Sequence, residues 1–134
     1  MPGTLASDAL AAVLKDATAI ESKTTTTGTG VQVDYPLECE VELNIGTLTG
    51  SSGTADVEIQ ASNASNFGSG VVSLGRFDQY TEADTGAGAR YLRVYCAKKY
   101  MRAVIITGGS TVTSFVQTVT VRPCNYHRTP TTTA

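Results

Sequence analysis

The sequence predicts an all-β chain, an antiparallel β-sandwich or jelly roll of seven or eight strands with a short N-terminal helix or arm. Three observations lead there. First, Glu38 to Ile45 reads Glu-Cys-Glu-Val-Glu-Leu-Asn-Ile, apolar at every odd position and polar at every even one. That period of two belongs to a strand with one face on a core and one in water. Second, the same alternation returns in Ala55 to Ala61 and in Arg90 to Cys96, with Gly-, Ser- and Thr-rich stretches between. Third, Thr occurs 21 times and Gly 13 times in 134 residues, a strand-and-turn composition with no long segment of helical period.

Taken in order, Leu5 to Leu14 reads as one short helix or as an arm. Ser7 offers a cap, Asp8 sits in the first turn, and Leu10, Val13 and Leu14 share a helical face. So short a helix is marginal alone and must pack on something, which sets residues 1–20 apart as an N-terminal arm or helix. Thr24 to Gly30 reads as a strand edge or a solvated connection. Glu38 to Ile45 and Ala55 to Ala61, joined through the turn Gly46 to Gly53, are expected to pair as a hairpin. Ser62 to Gly70 is a polar loop holding the isolated aromatic Phe67, and Val71 to Phe77 is a further strand. An acidic connection, Asp78 to Gly88, leads to Arg90 to Cys96, with Leu92, Val94 and Cys96 on one side and Tyr91, Arg93 and Tyr95 on the other. Lys98 and Lys99 mark a turn. Tyr100 to Thr107 is a β-branched strand ended by Gly108 and Gly109, and Ser114 to Arg122 is the last strand, stopped by Pro123. Residues 21–127 thus form a single β-sandwich domain, the size one core supports, and residues 128–134 a Thr-rich flexible tail.

The same composition argues against most chemistry. The only imidazole is His127, so Ser-His and Cys-His arrangements have almost no candidates, and the chain is read as no enzyme. Cys39, Cys96 and Cys124 are odd in number and widely spread, which fits neither a disulfide framework nor a metal-binding CxxC; Cys39 and Cys96 are expected to be small buried hydrophobes. Glu38, Glu40 and Glu42 share one strand face, with Asp56 and Glu58 beside them if the hairpin forms. A cluster of that kind suits a hard cation, yet the preferred reading is a hydrophilic outer face, because the Asp-Gly-rich loop that usually completes such a site is missing. No catalytic, cofactor-binding or metal-binding residue is therefore named. Asn63-Ala64-Ser65 matches a glycosylation sequon, but no secretory signal is recognised: the first basic residue is Lys15, and Asp8 interrupts the start. Apolar runs such as Ala103 to Ile106 are far shorter than a membrane span. The expectation is a soluble chain, made in the cytoplasm, that meets no membrane.

Charge is distributed unevenly. Residues 1–67 carry 2 basic and 9 acidic groups, residues 68–134 carry 8 basic and 3 acidic ones, so −7 and +5 combine to the overall −2. One consequence is plain intramolecular complementarity. The sharper expectation is an acidic face with Glu38, Glu40 and Glu42 and a basic face with Arg90, Arg93, Lys98, Lys99 and Arg102, each meeting a partner of opposite sign. Tyr91, Tyr95 and Tyr100 interleave with the basic residues. Tyr and Arg are enriched at protein interfaces, so a protein partner is preferred to a nucleic acid.

Four segments carry a resemblance: Cys39 to Ile45; Ala55 to Phe67, a strand leading into a Ser-Asn-Ala-Ser-Asn-Phe turn; Arg90-Tyr91-Leu92-Arg93-Val94; and Tyr100 to Gly109, closed by its Gly-Gly turn and followed by a Thr-rich last strand. In their order they cover about half the chain and resemble the small jelly-roll capsid decoration, or cement, proteins of tailed bacteriophages. The resemblance implies a virion structural protein on the capsid exterior, a homo-oligomer, dimer or trimer, that clamps neighbouring major capsid protein subunits. It implies no catalytic residue. The alternative is a carbohydrate- or host-binding β-sandwich module of a head fibre or tail, against which stands the absence of Trp.

Overall fold

The computed structural model describes residues 4–5, 12–22, 24–33, 35–50, 52–81, 88–109, 112 and 114–124. The long strands lie close to where the sequence put them, with β5 running on through Gly46 to Thr49 into the expected turn: β5 (Leu37–Thr49), β6 (Thr54–Ser62), β7 (Val72–Arg76), β9 (Gly88–Cys96), β10 (Tyr100–Gly108) and β11 (Ser114–Pro123). Between and before them run shorter pieces, β1 (Thr4–Leu5), β2 (Ala12–Lys15), β3 (Thr25–Thr27), β4 (Val31–Val33) and β8 (Tyr80–Thr81), so the described strands outnumber the seven or eight expected. The pairing is antiparallel throughout apart from β1 with β4, and no α-helix occurs among the described residues. The chain is an all-β sandwich.

One sheet has the order β1-β4-β10-β6-β7, with β3 also on β10 and β8 also on β6; the other has the order β2-β11-β5-β9. Between them lies a core built by parity. Leu37, Cys39, Val41, Leu43 and Ile45 point inward from β5, Val57 and Ile59 from β6, Met101 and Ile105 from β10, and Phe115, Val119 and Val121 from β11. Each such side chain contributes on the order of 2 kcal/mol by leaving water. Phe115 is fully buried and packs on Tyr80, ring centroids 5.7 Å apart.

Two expectations about local structure are corrected. The hairpin between Glu38 to Ile45 and Ala55 to Ala61 does not form: β5 pairs with β9 and β11, while β6 pairs with β7, β8 and β10. The segment around Gly50 and Gly53 crosses from one sheet to the other, which alternation cannot reveal, since it reports a strand's faces and not its neighbours. The N-terminal helix reading also fails for Ala12 to Lys15, which is a strand on β11, with Leu14 in the core. The register slips between Val119 and Thr120, so Leu14 and Lys15 are both buried in succession while Val13 is exposed. That bulge breaks the period of two and produces the apolar spacing that reads as a helix. Residues 12–20 therefore belong to the sandwich and are no separate arm. Residues 6–11, the tail 128–134 and His127 lie outside the described residues.

A second slip, between Phe115 and Gln117, leaves Gly46 and Thr47 both exposed and turns Leu48 inward after Ile45. Thr24 to Gly30 resolves into β3 on β10 followed by a close approach: Gly28 N–H donates to the Ala103 carbonyl at 2.8 Å, and Thr29 N–H to that of Leu14 at 2.9 Å. Gly28 thus ties one sheet to the other.

Candidate functional site

The outer face of the β2-β11-β5-β9 sheet gathers much of the charge singled out above. Glu38, Glu40 and Glu42 point outward from β5, and the register sets them against Tyr95, Arg93 and Tyr91 on β9. On the other flank Arg122 of β11 stands opposite Glu40. Its Nε and Nη2 donate to Glu40 Oε1 at 3.2 and 3.0 Å, and these bonds hold the Arg122 proton above the ordinary guanidinium range. Tyr91 donates to Glu42 Oε2 at a long 3.4 Å. Arg93 makes no ion pair among the described residues. Tyr91 and Tyr95 remain 55% and 61% exposed, large apolar surface on a charged face.

The remaining basic candidates lie elsewhere. Arg90 has the inward parity of Leu92 and Val94; its guanidinium lies 5.2 Å from the centroid of the Tyr80 ring and donates to the Asp78 carbonyl at 3.4 Å. Lys98 and Lys99 occupy the β9–β10 turn that crosses between sheets, where Lys99 N–H donates to Asn63 Oδ1 at 3.0 Å. Arg102 belongs to the other sheet. Its Nε donates to Gln60 Oε1 at 3.0 Å, and its guanidinium covers Phe67, 4.3 Å from the ring centroid, so the loop aromatic is folded under an arginine and buried.

Among the described residues the acidic and basic groups form no separate faces. An acidic strand stands in each sheet between basic ones: β5 between β9 and β11, and β6, with Glu58, between β10 and β7, whose Arg76 lies 3.6 Å from Glu58. The Glu58 carboxyl is lowered, first by a hydrogen bond to Ser73. The opposed halves of the sequence are woven together, which is the intramolecular complementarity. For the same reason Asp56 and Glu58 are on the far side of the sandwich from Glu38, Glu40 and Glu42, and the five carboxylates form no cluster. Among the described residues no group of three or more His, Cys, Asp or Glu could hold a metal ion.

Two features were missed in the sequence. Arg122 is 82 residues from Glu40, and its only signal is its outward parity with Thr118 and Thr120. Lys15, only 8% exposed, sits at a hollow of about 450 Å³ whose lining includes Thr18, Ser22, Thr24 and Thr29. Its Nζ donates to the carbonyls of Asp16 and Thr18, both at 2.8 Å. With the Gln117 amide oriented to suit its neighbours, Nζ also donates to Gln117 Oε1 at 2.9 Å, so the buried ammonium is fully partnered by protein groups.

Cys39, Cys96 and Cys124 form no disulfide and are buried, as expected for the first two. Burial, with Cys96 and Cys124 adding to it, pushes the Cys39 thiol up to about 12 from an ordinary 9.0. At pH 8 a thiol reagent is expected to leave Cys39 unmodified in the folded protein and to modify it in denaturant, as read by mass spectrometry. The folded state keeps a proton that the unfolded chain releases, so this contribution to stability is complete below pH 9 and is lost as pH rises towards 12. Denaturant midpoints should therefore fall between about pH 8 and about pH 10.5.

No helix among the described residues is long and apolar enough to cross a membrane. No protein-family model matches the chain, and no curated protein matches it. Among solved structures, the chain is similar to one in "Structure of infectious bursal disease virus Gx strain", with a TM-score of 0.47 and 7% sequence identity. The match covers 84% of this chain and 31% of that one, so the chain spans about a third of the length of the structure that it matches.

Proposed function

We propose that this protein is a structural component of a virion, a decoration or cement protein that binds the outer surface of a phage head. In this reading it is made in the host cytoplasm and joins neighbouring copies of the major capsid protein as a homo-oligomer, dimer or trimer. It needs no catalysis, cofactor, metal, nucleic acid or membrane. The observation that carries the reading is the outer face of the β2-β11-β5-β9 sheet, where exposed Tyr91 and Tyr95 flank Arg93 on one strand beside Glu38, Glu40 and Glu42 on the next. Tyr and Arg anchors ringed by charge are what a protein partner grips. The sequence resemblance supplies the kind of partner. Binding the assembled shell in preference to its parts stabilises the shell by mass action.

The purified protein is expected to co-sediment with empty heads of the phage that encodes it in a saturable ratio, and decorated heads to keep their genome to a higher temperature than bare ones. Tyr95→Ala should weaken binding about 10-fold, the scale of an interface anchor, without changing the melting temperature. Absence of binding to the heads sinks the reading. The hollow beside Lys15, lined largely by Thr and Ser residues, favours a second reading, a carbohydrate- or host-binding module of a head fibre or tail. A defined ligand on a glycan array, lost in Asp16→Ala, would put that reading first.

A further inference from the structure

The four strand ends of the two sheets differ in how well they resist a further strand. In the larger sheet, β1 is two residues long, and β7 is five with a register slip against β6. In the smaller sheet, β2 is four residues with a slip against β11. Short and bulged edges are poor templates for pairing. The fourth edge is unlike these. Strand β9 runs nine residues, Gly88 to Cys96, in unbroken register with β5, contains no proline, and pairs with nothing on its other side among the described residues.

We propose that β9 is the dimerisation edge, pairing antiparallel with β9 of a second copy about a two-fold axis at Leu92. The strand's own sequence selects this register. An isologous pairing that uses all nine residues must place Leu92 opposite itself, because Gly88 and Cys96 are equidistant from it. Side chains that meet across the axis then share a face, and Tyr91 of each copy stands opposite Arg93 of the other. Arg93, which makes no ion pair among the described residues, thereby gains an aromatic ring from the second copy, twice over. Moving the axis one residue to Arg93 places like charges face to face, which is unfavourable. The adjoining edge of the other sheet helps: Leu92 lies beside Gly75 of β7, and Val71 and Val72, each 39% exposed, bring apolar surface to the same side of the sandwich. The dimer doubles the small sheet to eight strands and lays the two charged outer faces side by side. It stands independently of attachment to a capsid.

The test uses the full chain without any shell. Sedimentation equilibrium is expected to give twice the 14.0 kDa chain mass. Under mild oxidation, a mixture of the Tyr91→Cys and Arg93→Cys chains should give a covalent dimer holding one of each, identified by mass spectrometry, while either chain alone should stay uncrosslinked. The native thiols are buried, so wild-type protein serves as the blank. Both positions face outward, and unchanged melting temperatures verify that the variants fold. A monomer at about 100 µM, a concentration at which even a weak dimer with Kd near 1 µM is formed, overturns the proposal. So does a dimer without the mixed crosslink, and crosslinking of Arg93→Cys alone overturns the register.

Discussion

Replacing Phe115 with alanine is expected to destabilise the protein by about 3–5 kcal/mol, the range for removing a fully buried aromatic side chain. The residue has no exposed surface and faces Tyr80 across the two sheets. Its backbone also exchanges hydrogen bonds with Ile20, N–H to carbonyl at 2.8 Å one way and 3.0 Å the other, so it fixes the segment after β2 as well as the core. The cavity left by the ring cannot close by sliding β11, because the register slip beside Phe115 already commits Leu48 and Ile45 to their positions. For a domain of this size the loss corresponds to a fall of roughly 10–20 °C in melting temperature, measured by circular dichroism. A fall under about 4 °C, the equivalent of roughly 1 kcal/mol, contradicts the placement of Phe115 at the centre of the core.

Gly28→Ala is the second substitution with a large expected effect, and its cause is backbone crowding. A Cβ at this position would fall on the Leu14 carbonyl oxygen, with the Ala103 carbonyl 3.3 Å away on the other side. Neither oxygen is the movable end of a side chain. Relief requires the two sheets to part locally, which breaks the bonds Gly28 and Thr29 make to Ala103 and Leu14, each worth about 1 kcal/mol, on top of about 1–3 kcal/mol of overpacking. We expect a loss of about 3 kcal/mol, read as a reduced urea midpoint with an unchanged slope. Gly30→Ala, whose Cβ would meet the edge of the Phe67 ring at 3.3 Å and the Ser65 carbonyl at an ordinary 3.9 Å, should cost less than half as much. Equal effects at the two glycines would show that crowding at the Leu14 carbonyl is not the cause.

How much of this was legible in the sequence follows from what alternation encodes. Strands β5, β6, β9, β10 and β11 were found within a few residues of their ends, because each has one face in the core and one in water. Strand β2 was not, because its bulge at Leu14 and Lys15 puts two successive residues inward and imitates a helical face. The false hairpin has a different origin. Glu40 and Glu58 have the same local grammar, and only the third dimension places them on opposite outer faces of the sandwich. The same gap explains the charge: the halves at −7 and +5 were countable in the sequence, but their interleaving depends on β5 lying between β9 and β11. Of the proposed interface residues, Glu38, Glu40, Glu42 and Arg93 come together, whereas Arg90 turns towards Tyr80 and Arg102 covers Phe67. Parity already separated Arg90 from Arg93. Nothing local separated Arg102.

The interleaving also governs the order in which the chain can acquire structure. Strand β5 emerges from synthesis with neither of its sheet partners made, since β9 begins at Gly88 and β11 at Ser114. Every contact that completes the small sheet closes a long loop, which makes folding slow and leaves an apolar strand edge waiting. During that wait Glu38, Glu40 and Glu42 act as gatekeepers: an unpaired strand with a carboxylate at three successive outward positions repels a second copy of itself. The arginine of β11 arrives last and converts that repulsion into the Glu40–Arg122 bond at 3.0 Å. A row of charges that looks like a binding face in the finished protein is thus also what keeps the half-made chain apart from its neighbours.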